Sequence, residues 1–481
     1  MPKLSEITTS PPVIELFEVE GLNGFKNLRL ETPTCVRIVV AENGTGKTTL
    51  LNMLYAVLSK RLSKLYPIKF KSLTIKFAGF EKFHLNKHDL FPLDPKPASS
   101  AALSEIISYG VTEDEFYQLA AEIAIEFDSD YVKDTNVFQT IYRHSPHDMG
   151  DTLTLIKRAM PSLEGSKFLS GFISYITKAL GNIEVLYLPT FRRIEVEDTR
   201  FKKRNRHDHN PFAHPDLFGS SKDEPDDDNL IWFGMGDVEA QLELIRERIR
   251  SETFSAYSRL SVQSLEDLLS PVNKKPDPIP QNNEILGSQL RLVLARIGQA
   301  ETKSGTKIWD LIDNGKINEP EFDNLRTYLF QMLEIYTSTQ KDEQSIEGFV
   351  KVINNYWIRS AQESKTKVEK AFIFDKTNLG IDIKTPYSPD PLSLGNLSSG
   401  EKQIVSVFAK LHLQKDRQFI VLIDEPELSL SMIWQQLFLP DILESPSCAQ
   451  LIAITHSPFV FENDLDSYAQ PLYVTYQRGQ V

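Results

Sequence analysis

The sequence predicts an α/β fold with a mixed or parallel sheet, split by a helical insertion. Three observations predict it. Strand-like runs rich in Val and Ile occupy residues 13–40 and return after residue 370. Beyond residue 400 strands and helices alternate, as in a parallel sheet with crossover helices. Residues 237–370, in between, are heavily charged and mostly helical in period.

Residues 13–40 alternate apolar and polar and make two or three strands, the last being Val36–Val40. A glycine-containing loop follows. Next comes a helix over about 48–64, with Leu50, Leu51, Leu54, Val57 and Leu58 on one face. Ile68, Phe70, Leu73, Ile75 and Phe77 alternate within an expected antiparallel pair over 68–85. Residues 100–127 turn helical, with Thr112 and Glu115 as a capping box. Residues 183–188 read as a buried strand ending at Pro189. The helical insertion has a Pro-rich break at 276–280 and no sustained heptad, so short helical hairpins are expected. A hairpin (371–374 with 379–383), a turn, a helix (401–413), an apolar strand (419–423), a helix (431–443) and a last strand (450–455) complete the order. The expected domains are 1–190, a charged loop region over 191–236, the helical insertion over 237–370, and 371–481.

The 481 residues suffice for a packed core, with 41% hydrophobic and 25% charged side chains. A net charge of −13 argues against tracking nucleic acid with the whole surface, and leaves room for a local basic groove. Cys35 and Cys448 cannot make a zinc site alone and do not suggest a secreted disulfide framework. No apolar run approaches the ~20 residues that cross a bilayer, and residues 1–12 have no h-region. A cytoplasmic protein with no membrane contact is expected.

Four motifs carry chemistry. The first is Ala41-Glu42-Asn43-Gly44-Thr45-Gly46-Lys47-Thr48-Thr49, between a strand and a helix. Gly44 and Gly46 let backbone N–H groups wrap phosphate oxygens. Lys47 supplies charge to the β- and γ-phosphates, and the Thr48 hydroxyl suits Mg²⁺. The second is the strand 419–423 followed by Asp424-Glu425-Pro426-Glu427, which delivers two acids at the carboxyl end of a buried strand. Asp424 suits the metal shell and Glu425 the attacking water. The third is Leu397-Ser398-Ser399-Gly400-Glu401-Lys402-Gln403 at a helix start, where the plain alternative is an N-cap. The fourth is Ile454-Thr455-His456-Ser457-Pro458, placing His456 where it could reach a γ-phosphate.

In this order and spacing the four motifs resemble the ABC-type ATPase heads of the SMC, RecF and OLD kind. The resemblance is strong over 13–60 and 394–460 and weak between. Ala41 stands where the phosphate loop usually begins with Gly, and Glu401 where many signatures carry Gln. Two further peptides, Tyr187-Leu188-Pro189-Thr190-Phe191-Arg192-Arg193-Ile194-Glu195 and Phe233-Gly234-Met235-Gly236-Asp237-Val238, are similar to segments of ATPases from bacterial anti-phage systems. Those are the Septu ATPase (PtuA) family and retron-associated ATPases, with the PARIS ATPase (AriA) family a near competitor. The resemblance implies an ATP- and Mg²⁺-dependent homodimer that encloses nucleotide between Asn43–Thr49 of one copy and Ser398, Ser399, Gly400 and Glu401 of the other. Glu425 and His456 would be catalytic, and Thr48 and Asp424 the metal ligands. It implies a slow regulatory ATPase that senses infection and controls a separate nuclease, of the HNH type. The alternative is a RecF- or SMC-like ATPase acting directly on DNA.

Other clusters are weaker. Arg192 and Arg193 suit phosphate, nucleic acid, a partner or plain solvation. The stretch Arg200, Lys202, Lys203, Arg204, Arg206 suits a DNA backbone or a solvated loop, and the acidic Asp223, Glu224, Asp226, Asp227 and Asp228 follow it. His207, His209 and His214 match no zinc spacing. Gln118 and Gln139 are both open as the glutamine that senses nucleotide.

Overall fold

The structure is a computed structural model and describes residues 8–40, 44–65, 67–90, 97–112, 115–116, 119–120, 129–159, 166–189, 234–269, 278–279, 284–296, 303–414 and 416–476. The chain divides into two compact units: Met1–Phe191 with Arg417–Glu444 and Cys448–Val481, and Arg192–Asp416 with Ser445–Ser447.

Two five-stranded sheets build the first unit. One is antiparallel, in the order β13(Tyr473–Tyr476), β2(Lys26–Glu31), β1(Ile14–Leu22), β4(Ser72–Phe77), β5(Phe83–Asn86). The other is parallel, in the order β12(Ala469–Pro471), β3(Val36–Val40), β11(Cys448–Thr455), β10(Gln418–Asp424), β6(Ile183–Leu188). The continuous apolar runs of β10 and β11 take the middle of the parallel sheet, where both faces are covered. Gln450 on β11 is fully buried and ties the two sheets together. Its Oε1 accepts from the Val13 and Ile14 amides at 3.0 and 2.8 Å, and its Nε2 donates to the Ile14 carbonyl at 3.0 Å. An amide does this at no cost in buried charge.

Helix α1(Lys47–Leu58) packs against β10 and β6. It ends earlier than expected. The Ser59 amide returns to the Tyr55 carbonyl, and Lys60 adopts a left-handed φ of 61°. Buried Leu62 and Leu65 sit in a 3₁₀ turn beyond the break and prolong the apolar spacing, which hides the stop in the sequence. Strand β6 is a sheet edge, with only Tyr187 and Leu188 buried, rather than a fully covered strand. The capping box at Thr112 forms: Glu115 Oε2 accepts the Thr112 amide at 2.9 Å. Helices α2(Pro97–Ser108), α3(Ser129–Asp134), α4(Asn136–His144) and α5(Met149–Ala159) share a core of Ile106, Phe116, Phe138, Ile141 and Ile156. Helix α6(Ser166–Leu180) precedes β6.

The second unit is largely helical. Helix α7(Met235–Leu269) has 35 residues and helix α10(Asp323–Glu363) has 41, so short hairpins are not what forms. They run antiparallel: Arg248 meets Asp342 at 3.5 Å, while Leu260 shares a core with Leu329 and Met332. On α7 the buried stripe Val238, Leu242, Ile245, Ile249 is broken by Thr253, and exposed Leu244, Phe254 and Val262 blur it. That is why no heptad is legible. Helices α8(Glu284–Arg296) and α9(Lys303–Asp313) add Leu290, Val293, Leu294 and Ile312 to the same core. Arg296 and Glu343 form a buried pair at 2.7 Å, and Arg296 also donates to the Lys376 carbonyl, fixing α8, α10 and the turn after β7 in one register. The expected hairpin is present as β7(Ala371–Asp375) and β8(Gly380–Thr385), with a third strand β9(Ser388–Leu392) beside it. Pro389 and Pro391 remove donors from β9, which conceals it in the sequence. Helix α11(Ser399–Leu413) closes the unit, and α12(Met432–Glu444) belongs to the first. No helix among the described residues is long and apolar enough to cross a membrane.

Candidate nucleotide site

Strand β3 leads into the glycine loop, and α1 leaves it at Lys47. Gly46 is the N-cap, at φ 98° and ψ 18°. A Cβ there would lie 3.2 Å from Leu28 Cδ1 and 3.3 Å from Leu22 Cδ2, so both the left-handed backbone and the close packing require glycine. Gly46 itself offers no side-chain cap to α1, and the positive dipole end of a helix favours an anion. Lys26 on β2 braces the loop from outside, its Nζ donating to the Gly44 carbonyl at 2.7 Å. Gly44 and Thr48 are exposed, and Thr45 and Thr49 are half-buried. Asn43, with Ala41 and Glu42, lies outside the described residues.

Asp424 is the last residue of β10 and is buried. Its carboxylate accepts a hydrogen bond from the Thr48 side chain, and burial raises its pKa above the ordinary carboxylate range. The neighbouring Glu425 and Glu427 charges add to the rise, while Thr48 and Lys47 oppose it. Asp424 Oδ2 is buried and has no hydrogen-bond partner among the described residues. An orphaned, desolvated carboxylate oxygen beside a hydroxyl is a hard donor set that fits Mg²⁺. Among the described residues no group of three or more His, Cys, Asp or Glu could hold a metal. Mg²⁺ itself commonly takes one or two protein oxygens and completes its shell with phosphates and water.

Glu425 follows with a left-handed φ of 53°, unusual for a residue with a side chain. Its amide donates to the Ile454 carbonyl of β11 at 2.8 Å, which holds the turn. Lys47 is 6% exposed. Burial lowers its pKa, and Asp424, Glu425 and Glu427 pull it back up. The Lys47 Nζ hydrogen-bonds His456 Nε2, with His456 Nδ1 at 3.4 Å. The first unit thus brings together Lys47, Thr48, Asp424, Glu425 and the exposed His456.

Glu427, quoted in the motif but given no role there, organises this corner. Its Oε1 accepts the amides of His456 at 2.8 Å and Ser457 at 3.2 Å. Its Oε2 accepts the Thr455 hydroxyl at 2.8 Å. Gln435 on α12 adds a second tie: its Oε1 accepts the Ser457 hydroxyl at 2.8 Å, and its Nε2 donates to the Leu430 and Glu427 carbonyls. The sequence signal was available, since Glu427 lies two residues past Glu425 on a turn; its bonding partners were not.

The signature peptide lies in the second unit. Ser398 caps α11, and Glu401 completes a capping box, its Oε2 accepting the Ser398 amide and hydroxyl, both at 2.9 Å. The other Glu401 oxygen accepts Trp357 Nε1 at 3.0 Å and Lys370 Nζ at 2.7 Å. Burial alone would raise the Glu401 pKa; Lys370 and Ser398 together bring it below the ordinary value. Its carboxylate is thus committed to the fold, whereas Ser398 and Ser399 are exposed and Gly400 is buried. Gln139 donates to the Lys133 carbonyl at 2.9 Å. Gln118, Arg192, Arg193, the basic and acidic stretches over 200–230, and His207, His209 and His214 lie outside the described residues.

A glycine loop at a helix N-terminus, a buried lysine and an acid pair at the end of a central parallel strand define an ATP-binding P-loop ATPase of the α/β class. Residues 14–461 match the family model described as AAA ATPase domain, and the chain belongs to that family. No curated protein matches it. Two solved structures show low overall similarity. One is an Smc head bound to the C-winged helix domain of ScpA, at 14% identity, covering 97% of this chain and 98% of that one, with a TM-score of 0.31. The other is an Smc head domain with an extended coiled coil, bound to the C-terminal domain of ScpA derived from Pyrococcus furiosus, at 15% identity, 96% of each chain and a TM-score of 0.30.

Proposed function

We propose that this ATPase is a nucleotide-gated switch in the cytoplasm, whose site is completed by a second copy of the chain. The observation that carries the reading is the meeting of Lys47, Asp424 and His456 around one buried, unpartnered carboxylate oxygen. Residues 44–49 and the start of α1 bind and orient the phosphates. Thr48 and Asp424 hold Mg²⁺, which when bound neutralises charge on the β- and γ-oxygens. Glu425 polarises the attacking water, and His456 donates to the γ-phosphate. Ser398, Ser399 and Gly400 of the other copy close over the nucleotide; Glu401 shapes their helix rather than touching ATP. The closed dimer controls a separate nuclease, of the HNH type, in anti-phage defence.

The test is to purify the chain, show ATP- and Mg²⁺-dependent dimerisation, and add the candidate nuclease. Nuclease activity that ignores the nucleotide state overturns the switch reading. A second reading, direct action on DNA, is favoured by one feature: residues 43–80 contain no Asp or Glu but include Lys47, Lys60, Arg61, Lys64, Lys69, Lys71 and Lys76. DNA-stimulated ATP hydrolysis by the chain alone would select it.

A further inference from the structure

We infer that Glu427 is a positioning residue for hydrolysis, a latch that fixes the His456 loop against the acid pair; the inference rests on the site reading above. The exits of β10 and β11 are joined at two levels. The Glu425 amide is bonded to the Ile454 carbonyl. Two residues further on, the Glu427 carboxylate takes three donors from consecutive residues of the other strand's exit, Thr455, His456 and Ser457. Few side chains can do this, since the donors approach one group from both of its oxygens; the Ser457 amide is shared with the Thr455 hydroxyl at 3.0 Å, whereas the His456 amide is held by Glu427. Gln435 repeats the logic from α12, holding Ser457 and the turn carbonyls at once.

The consequence falls on geometry rather than on nucleotide affinity. His456 is exposed and its ring is steered by where its own amide is held. Without Glu427, the His456 amide loses its acceptor and the Ser457 amide keeps only the Thr455 hydroxyl at 3.0 Å, so the loop is free to carry the imidazole away from Lys47. The phosphate loop itself keeps its own supports, Gly46 and the Lys26 brace. Glu427 also adds negative charge near Lys47, so its role has an electrostatic component that the test must separate.

Three variants separate these contributions. Glu427→Ala should lower kcat about 30- to 100-fold, the scale of a misplaced catalytic group, with ATP affinity within about threefold of the parent. Glu427→Gln keeps one oxygen for the two amides and an NH₂ for the Thr455 hydroxyl, so it should stay within about fivefold of the parent kcat. His456→Ala should lose about as much as Glu427→Ala, and the double variant no more than either, because the two act as one unit. Parental kcat in Glu427→Ala, or multiplied losses in the double variant, overturns the latch. Parental kcat in His456→Ala overturns the site reading instead. Should Glu427→Ala fail to fold, Gln435→Met removes only the second tie. A kcat loss of about three- to tenfold at parental affinity then supports the latch, and an unchanged kcat overturns it.

Discussion

Lys47 and His456, 409 positions apart in the chain, are hydrogen-bonded to one another. On the site reading proposed above, the ammonium rests on the residue that would meet the γ-phosphate. Lys47→Ala should weaken ATP binding at least about tenfold by calorimetry, since it removes a buried positive charge at the start of α1, beside the glycine loop. Unchanged affinity would mean that the glycine loop holds some other anion.

Glu425→Gln keeps the size of the side chain and the hydrogen bond from its amide to Ile454. Binding should persist while turnover falls about 10²- to 10⁴-fold, the range for loss of a general base. Trapped ATP-bound dimers should accumulate in size-exclusion chromatography. Parental turnover would remove Glu425 from the chemistry.

Ser398 and Ser399 are exposed at the N-terminus of α11, while Glu401 is turned inward. Ser398→Arg should abolish ATP-dependent association and leave ATP binding to the monomer intact. Glu401→Ala should act differently, destabilising the second unit by about 1–3 kcal/mol by removing the capping box and leaving the Trp357 and Lys370 donors unpaired. Because Ser398→Arg also removes the N-cap of α11, the readout that tells the two residues apart is ATP-dependent association of the folded protein, lost in Ser398→Arg and kept in Glu401→Ala.

Asp424 carries a raised pKa because its charged form is buried. Its contribution to folding is present below the ordinary carboxylate pKa and is lost as the pH rises through the raised value. At neutral pH it therefore weakens the nucleotide-free fold. Asp424→Asn should melt a few degrees higher than the parent without nucleotide, at roughly 2–4 °C per kcal/mol, yet lose Mg²⁺-dependent hydrolysis. A lower melting temperature would show that the carboxylate is satisfied in the free protein.

His412 on α11 is buried, and burial lowers its pKa to about 4. The ring must be neutral in the fold, so its contribution is complete above the unfolded pKa of about 6.5 and declines as the pH falls from there toward 4. The loss approaches about 3 kcal/mol at the acid end, an order-of-magnitude figure. His412→Leu should flatten the stability–pH slope of the second unit between pH 6.5 and 4; an unchanged slope would place its origin elsewhere.

Where the sequence was legible, one physical signal dominated. Strands β10 and β11 are largely apolar runs, and the glycine loop and acid pair follow strand ends, so the parallel core and the position of these residues at its strand ends could be read locally. Edge elements were not legible. Strands β12 and β13 are short and mostly exposed, and β9 is interrupted by prolines, so none carries an apolar period. The helical character of 237–370 was legible but the length of its two long helices was not, because their seam mixes polar residues such as Thr253, Thr339 and Asp342 with aliphatic ones. Glu427 could be seen but not interpreted, because its partners Thr455, His456 and Ser457 are distant in sequence and adjacent only across two strand exits.

The parallel sheet places β3, from near the start of the chain, beside β11, from near its end. During synthesis the phosphate loop is therefore made long before the strand that completes its surroundings. Ribosomes add about 5–20 residues per second, so the 409 positions from Lys47 to His456 amount to roughly 20–80 seconds. The second unit is encoded entirely between those positions, and all but Ser445–Ser447 of it is made before β10 and β11. A truncated translation product would carry the lysine but neither the acids nor the histidine, and so could not fire. If the proposed switch reading holds, synthesis order acts as a safety catch.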